Sequence, residues 1–194
     1  MTKAPAPIDR IEIVPCDPRW PDTFAKEAAC IRAALRLQGE HAIEHIGSTA
    51  VPGLDAKPVI DILLIESDTA RWPLFVAPLQ GLGYVFWVDN PRRDRLFFVK
   101  GMPPLGSGRT HHVHVRVPAD AQRECAFRDW LRAHPDDAAR YAALKRELAA
   151  AHTDDRAAYT EGKTAFIEAM LQRAEAEAAL AAPSANGAAD AAAR

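Results

Sequence analysis

The chain has 194 residues, 48% of them hydrophobic, with 24 Lys and Arg against 26 Asp and Glu and a formal net charge of −2. That length suits about one domain, and the near-neutral balance argues against a long nucleic acid held by bulk charge. No run approaches the roughly 20 apolar residues of a membrane span, no apolar stretch follows the first residues as in a secretory signal, and Cys16, Cys30 and Cys125 form neither a CxxC pair nor a disulfide framework. A reduced cytoplasmic protein with no membrane partner is therefore expected.

Residues 1–10 read as a flexible leader. Ile11 to Val14 alternates weakly and reads as a short edge strand, stopped by the prolines that follow. Pro18 or Pro21 suits the first turn of a helix, where a missing N–H costs nothing. Phe24, Ala28, Ile31 and Leu35 then recur at helical spacing, with Gly39 ending that helix. His41 to Ser48 reads as a strand running into a turn, and Pro52, Gly53 and Pro58 punctuate the loop after it. Val59 to Ile65 is a nearly continuous apolar run of strand length, hence a buried central strand, interrupted by Asp61.

Residues near Ala70 to Leu82 read as a helix. Gly83 to Val88 and Arg95 to Gly101 read as a strand pair, and Thr110 to Val117 as a further strand. After Pro118 the pattern turns helical. One helix carries Phe127, Trp130 and Leu131, and a second opens on Pro135, Asp136 and Asp137, which suit a helix N-terminus. A third, long helix carries Tyr159, Glu161 and Lys163. Trp130, Tyr141 and Phe166 read as helix core, and the charges around Lys145 as a solvated face. A single domain over 11–175, helical from about 120, thus precedes an alanine-rich tail over 176–194 that reads as disordered. Strands first and helices after predict an α+β fold with a mixed sheet and flanking helices.

The chemistry gathers in His45 to Ile65, where a strand ends in Gly47 and Ser48 and the next strand presents Asp61. Gly47 lets the backbone approach a phosphate closely, and Ser48 and Thr49 can offer donors to phosphate oxygens. Lys57 adds a mobile point charge. A carboxylate is costly to bury alone. Its partner is either a hard cation such as Mg²⁺, which takes carboxylates and substrate phosphates together, or Arg109 or Lys57. On a strand from Thr110, alternation puts His112, His114 and Arg116 on one face and His111, Val113 and Val115 on the other. The valines belong in the core, so His112 and His114 line the cleft, as metal or phosphate ligands or as hydrogen-bonded wall residues. Arg109 can clamp a phosphate. His45, on the face of Ile43, reads as a satisfied structural histidine. No P-loop, GxGxxG or G-x-S-x-G occurs.

The stretch HIGSTAVPGLDAKPVIDILL resembles the signature of the GrpB family. IEIVPCDPRW, RTHHVHV, AFRDWLRAHP, YAALKRELAAAH and YTEGKTAFIEAML are similar to that family as well, so the resemblance spans about Ile11 to Leu171. It implies a nucleotidyltransferase-like fold and, through fusions in some bacteria, dephospho-CoA kinase as a partner. Lys163 matches a family lysine. The nucleotidyltransferase pattern is Gly-Ser, a spacer, then two acids one residue apart. Gly47, Ser48 and Asp61 match, but the second acid's position is held by Leu63.

Three functions follow. The first is a metal-assisted nucleotidyltransferase moving a nucleoside monophosphate from a triphosphate to a small-molecule or protein hydroxyl. Asp61, His112 and His114 would be catalytic and hold a divalent metal (Mg²⁺ or Mn²⁺, with Zn²⁺ as an alternative). Gly47, Ser48, Thr49, Lys57, Arg109 and Lys163 would bind the nucleotide or another phosphorylated small molecule. The second is a non-catalytic module for a nucleotide or a CoA-type ligand, prompted by Leu63. The third is a phosphohydrolase built on Asp61 and the histidine pair around a transition metal.

Overall fold

The computed structural model describes residues 10–37, 42–90, 94–102, 105–106 and 108–181. The expectations for residues 1–9, for Gly39 and for 182–194 lie outside the described residues. Five strands, β1 (Ile43–Ile46), β2 (Ile60–Ile65), β3 (Tyr84–Phe86), β4 (Leu96–Lys100) and β5 (His111–Arg116), form one sheet in the order β1-β2-β5-β4-β3. β2 and β5 run parallel and the other neighbours antiparallel, so the sheet is mixed, as the α+β reading expects. The helices are α1 (Trp20–Ala34), α2 (Pro73–Gly81), α3 (Pro118–Ala133), α4 (Pro135–Ala151), α5 (Arg156–Glu161) and α6 (Thr164–Ala181). The first four carry a proline at their first or second position, where it removes no intrahelical bond. Among the described residues no helix is long and apolar enough to cross a membrane.

The two faces of the sheet have different tasks. Ile60, Ile62 and Leu64 of β2, Val113 and Val115 of β5 and Phe98 of β4 face α1 and α2, where Trp20, Ile31, Phe75 and Leu79 complete the main core. Each such fully buried side chain contributes about 1.5–3 kcal/mol. The opposite face carries Asp61 and Leu63 of β2 level with His112 and His114 of β5. Its β1 side is roofed by α3, where Ala121 and Cys125 pack on Ile46 and Leu63. On its β5 and β4 side Phe97, His112 and His114 line a cleft. A further cluster of Val51, Leu54, Trp130, Leu131, Tyr141 and Met170 ties the loop after β1 to α3, α4 and α6.

Four expectations change. Ile11 to Val14 is not an edge strand: only Val14 pairs, with Ala56, through reciprocal bonds of 2.9 and 3.0 Å. Pro15 and Pro58 stand beside that bridge without N–H groups, which keeps it from growing into a ladder. α1 ends at Ala34, before Gly39. Arg36 takes the left-handed φ of 51°, and the N–H groups of Arg36 and Leu37 return to the carbonyls of Ala33 and Arg32, a Schellman closure made without glycine. The expected long third helix is two helices, α5 and α6, parted at Gly162 and Lys163. A Cβ on Gly162 would lie 2.5 Å from the Leu148 side chain, so this segment packs closely on α4. Finally, α6 continues to Ala181, so residues 176–181 are helical.

Candidate functional site

The site begins where β1 turns. Gly47 has φ 72° and ψ −171°, a region that is essentially glycine's alone, and a Cβ there would lie 2.5 Å from Asp61 Oδ2. The turn is thus folded directly onto the Asp61 carboxylate. Gly47→Ala is expected to cost about 1–3 kcal/mol of strain and to push the carboxylate aside. Urea unfolding checks this, and unchanged stability would contradict it.

Ser48 opens a short 3₁₀ turn (Ser48–Ala50) and lines the cleft together with Tyr141. Thr49 differs from expectation. Its hydroxyl donates to the Val59 carbonyl at 3.2 Å and meets His45 Nε2 at 3.0 Å, inside the fold. Because the Thr49 proton goes to a carbonyl, His45 must donate from Nε2. The Thr49 side chain therefore cannot also donate to a phosphate.

His45 is the structural residue its alternation suggests, 7% exposed and stacked on Phe24 at 4.7 Å. Burial, above all, lowers its pKa from 6.5 to about 4, with Asp61 opposing and Arg132 and Arg128 assisting. Between those values the unfolded chain binds the proton and the fold does not, so stability falls as pH drops from 6.5 to 4 and the effect is complete below. The loss is about 3 kcal/mol. Comparing wild type with His45→Gln by urea unfolding at pH 7 and pH 4.5 tests it. The variant should lose less, and equal losses would overturn the assignment.

Asp61, its side chain 28% exposed, accepts a 2.8 Å hydrogen bond from His112 Nδ1. His114 Nε2 stands 3.9 Å from the same oxygen, beyond hydrogen-bond reach. Burial opposes ionisation of Asp61, and the two imidazoles, His112 first, overcome it, so the carboxyl titrates well below the usual range. Burial, above all, pulls the pKa of His112 down, against the pull of Asp61. Phe97 packs against both rings, at 5.1 and 4.9 Å. The remaining ring nitrogens, His112 Nε2 and His114 Nδ1, are buried without hydrogen-bond partners. One ligand atom from each of Asp61, His112 and His114 falls within 4.8 Å of the others. The ring nitrogens that face the carboxylate, His112 Nδ1 and His114 Nε2, complete with it a donor set that fits a divalent cation, while the unpartnered nitrogens lie on the far sides of the two rings. This donor set suits Mn²⁺, Zn²⁺ or Fe²⁺ better than Mg²⁺, which prefers oxygen.

Facing this cluster is a cationic wall. Lys57 and Lys163 lie 5.0 and 4.6 Å from the centre of the Tyr159 ring. Lys163 occupies the break between α5 and α6, and burial lowers its pKa. Lys145, 2% exposed, donates to the Asp55 carbonyl and lies 4.9 Å over Tyr141. Burial first, then Lys163, brings its pKa down to about 7. On the other lip Arg109 lies 4.9 Å from the Trp87 ring centre. Arg116 shares the face of His114 as alternation requires, but it is committed to Asp94 at 2.8 Å and Glu124 at 2.7 Å.

Gly47, Ser48, Thr49, Lys57, Asp61, Arg109, His112, His114 and Lys163 all line one cleft of about 880 Å³. Leu63 is sealed away at 0% exposure under Ala121. Sequence reading missed Lys145, Arg156, Tyr141 as a site residue, and Trp87, all on the same cleft. The signal for Lys145 was present: Tyr141, Ala142, Lys145 and Ala149 form the buried stripe of α4, and the lysine lies inside it, not on the solvated face.

The sequence profile of the GrpB protein family matches residues 10–173. The chain is 59% identical over 166 residues to the UPF0157 protein PA4798 of Pseudomonas aeruginosa, covering 86% of this chain and 68% of that one. It is 33% identical over 161 residues to a dephospho-CoA kinase of Mycolicibacterium paratuberculosis, covering 70% of this chain and 39% of that protein. The crystal structure of GrpB from Enterococcus faecalis superposes with a TM-score of 0.74 at 34% identity, over 86% of this chain and 99% of that chain. A profile match over nearly the whole described chain, with these identities and this shared fold, establishes that the chain belongs to the GrpB family.

Proposed function

We propose that the protein is a metal-assisted, nucleotidyltransferase-like enzyme that moves a nucleoside monophosphate from a nucleoside triphosphate to a hydroxyl of a small molecule or protein. The observation that carries this reading is the convergence of Asp61, His112 and His114 with the Gly47–Ser48 turn in one cleft, opposite Lys57, Lys145 and Lys163. Asp61, His112 and His114 would hold the divalent ion, with Mn²⁺ or Zn²⁺ favoured by the nitrogen donors. When bound, such an ion neutralises phosphate charge and lowers the pKa of an attacking hydroxyl. The backbone at Gly47 and Ser48 holds the donor phosphates. Lys57 and Lys163 carry the charge that develops on the leaving pyrophosphate as the hydroxyl oxygen bonds to the α-phosphorus. The Thr49 hydroxyl has no part in this, because it serves the fold.

Cys16, Cys30 and Cys125 are free thiols, which supports a reducing compartment, the cytoplasm. The reading needs neither a long nucleic acid nor a membrane. The 33% identity to part of a dephospho-CoA kinase supports association with that enzyme. It also favours a second reading, a non-catalytic module for a nucleotide or CoA-type ligand, for which Leu63 in the second acid's place is the specific observation. Incubation with the four ribonucleoside triphosphates, Mn²⁺ and a hydroxyl acceptor mixture separates these. Pyrophosphate release supports the transferase, orthophosphate release a phosphohydrolase, and binding without turnover the module.

A further inference from the structure

Trp87 follows β3, and its backbone N–H donates to the Phe97 carbonyl at 2.9 Å, which fixes it at the mouth of the cleft. It is 40% exposed, whereas Trp20 and Trp130 are buried in the cores. Its indole leans on Phe97 with ring centres 5.9 Å apart, and Phe97 in turn touches both His112 and His114. A row of aromatic rings therefore leads from the rim to the Asp61 cluster. The Arg109 guanidinium sits 4.9 Å from the indole centre. Asn90 lines the same rim, held by a 3.2 Å bond from its N–H to the Trp87 carbonyl.

An exposed indole backed by a second ring, with a guanidinium over it and an amide at its side, is the chemistry that receives a planar heteroaromatic ring, which stacks on the indole or on the guanidinium plane. The ring stacks on the π-face and its edge meets hydrogen-bonding groups. The lysines gather at Tyr141 of α4 and Tyr159 of α5: Lys145 over the first ring, Lys57 and Lys163 over the second. One cleft thus has a cationic end, the Asp61–His112 pair at its middle, and an aromatic end. That order matches a nucleotide laid along it: phosphates on the lysines, α-phosphate near Asp61, base at the rim.

We propose that Trp87, with Phe97 and Arg109 packed on it and Asn90 at its margin, is the subsite for the base of a nucleoside phosphate. This rests on the reading that the cleft takes a nucleotide. Stacking is tolerant of base identity, because every base has a π-face, so ATP, GTP and CTP should bind within a few-fold of one another.

Calorimetry with Mn²⁺ present compares ATP and inorganic tripolyphosphate on wild type, Trp87→Ala and Trp87→Phe. Wild type should bind ATP about ten- to a hundred-fold more tightly than tripolyphosphate. Trp87→Ala should lose that margin and keep its tripolyphosphate affinity, while Trp87→Phe keeps most of the margin. Equal binding of the two ligands by wild type, or undiminished ATP binding by Trp87→Ala, overturns the base subsite and leaves the phosphate reading standing. If Trp87→Ala loses tripolyphosphate as well, the indole shapes the cleft and the stacking role fails. If wild type binds neither ligand, the nucleotide reading falls and the subsite with it.

Discussion

Leu63→Asp is expected to destabilise the domain by about 3–5 kcal/mol and to leave metal binding no stronger. The substitution restores, on paper, the paired acids of a nucleotidyltransferase strand, since positions 61 and 63 share one face of β2. Position 63, however, is fully buried, with Ile46 beside it and Ala121 and Cys125 of α3 above. A carboxylate there would be pressed against Ile46, Ala121 and Cys125, with His114 as its neighbour on β5, so it would be charged in a desolvated pocket or neutral and desolvated. Either state adds to the loss of a well-packed leucine. Against a typical total of about 5–15 kcal/mol, this is a large fraction, and urea unfolding measures it directly. If Leu63→Asp instead kept its stability and bound a second Mn²⁺, the roof of α3 would not be what excludes the second acid.

Asp61→Asn carries the other large effect, on function and not on folding. The amide keeps the shape of the carboxylate and its oxygen can still accept from His112 Nδ1, so stability should change by only about 1 kcal/mol. The charge is what disappears. Under the proposed reading the variant loses the divalent ion, and transfer falls by about a hundred- to a thousand-fold. Pyrophosphate release under saturating nucleotide measures this. Undiminished release by a folded Asp61→Asn protein would remove Asp61 from the chemistry.

Much of the site could be read from local pattern. The lone acid in the apolar run of β2 and the His-x-His alternation of β5 fix which side chains share a face. The parallel pairing of Asp61 with His112 in the sheet then brings them together. Other features depend on contacts distant in sequence. The inward turn of the Thr49 hydroxyl is set by His45 and Val59. The burial of Lys145 follows from the docking of α4 on the loop at Asp55. The split of the last helix comes where Gly162 packs against Leu148 of α4, a contact distant in sequence. The exposure of Trp87 depends on where the β3–β4 pair ends relative to the cleft. Apolar periodicity does not encode such distant contacts. The cover over Leu63 is of the same kind: the sequence marks the missing acid, and only the position of α3 explains why position 63 cannot serve.

The central claim is that Asp61, His112 and His114 hold a divalent ion beside a nucleotide. Titration of the metal-free protein with Mn²⁺, followed by electron paramagnetic resonance with and without ATP, tests it most directly. A single tightly held Mn²⁺ per chain, bound more strongly with ATP and lost in Asp61→Asn, is the predicted result. Absence of Mn²⁺ binding under both conditions, or binding that Asp61→Asn leaves unchanged, would contradict it.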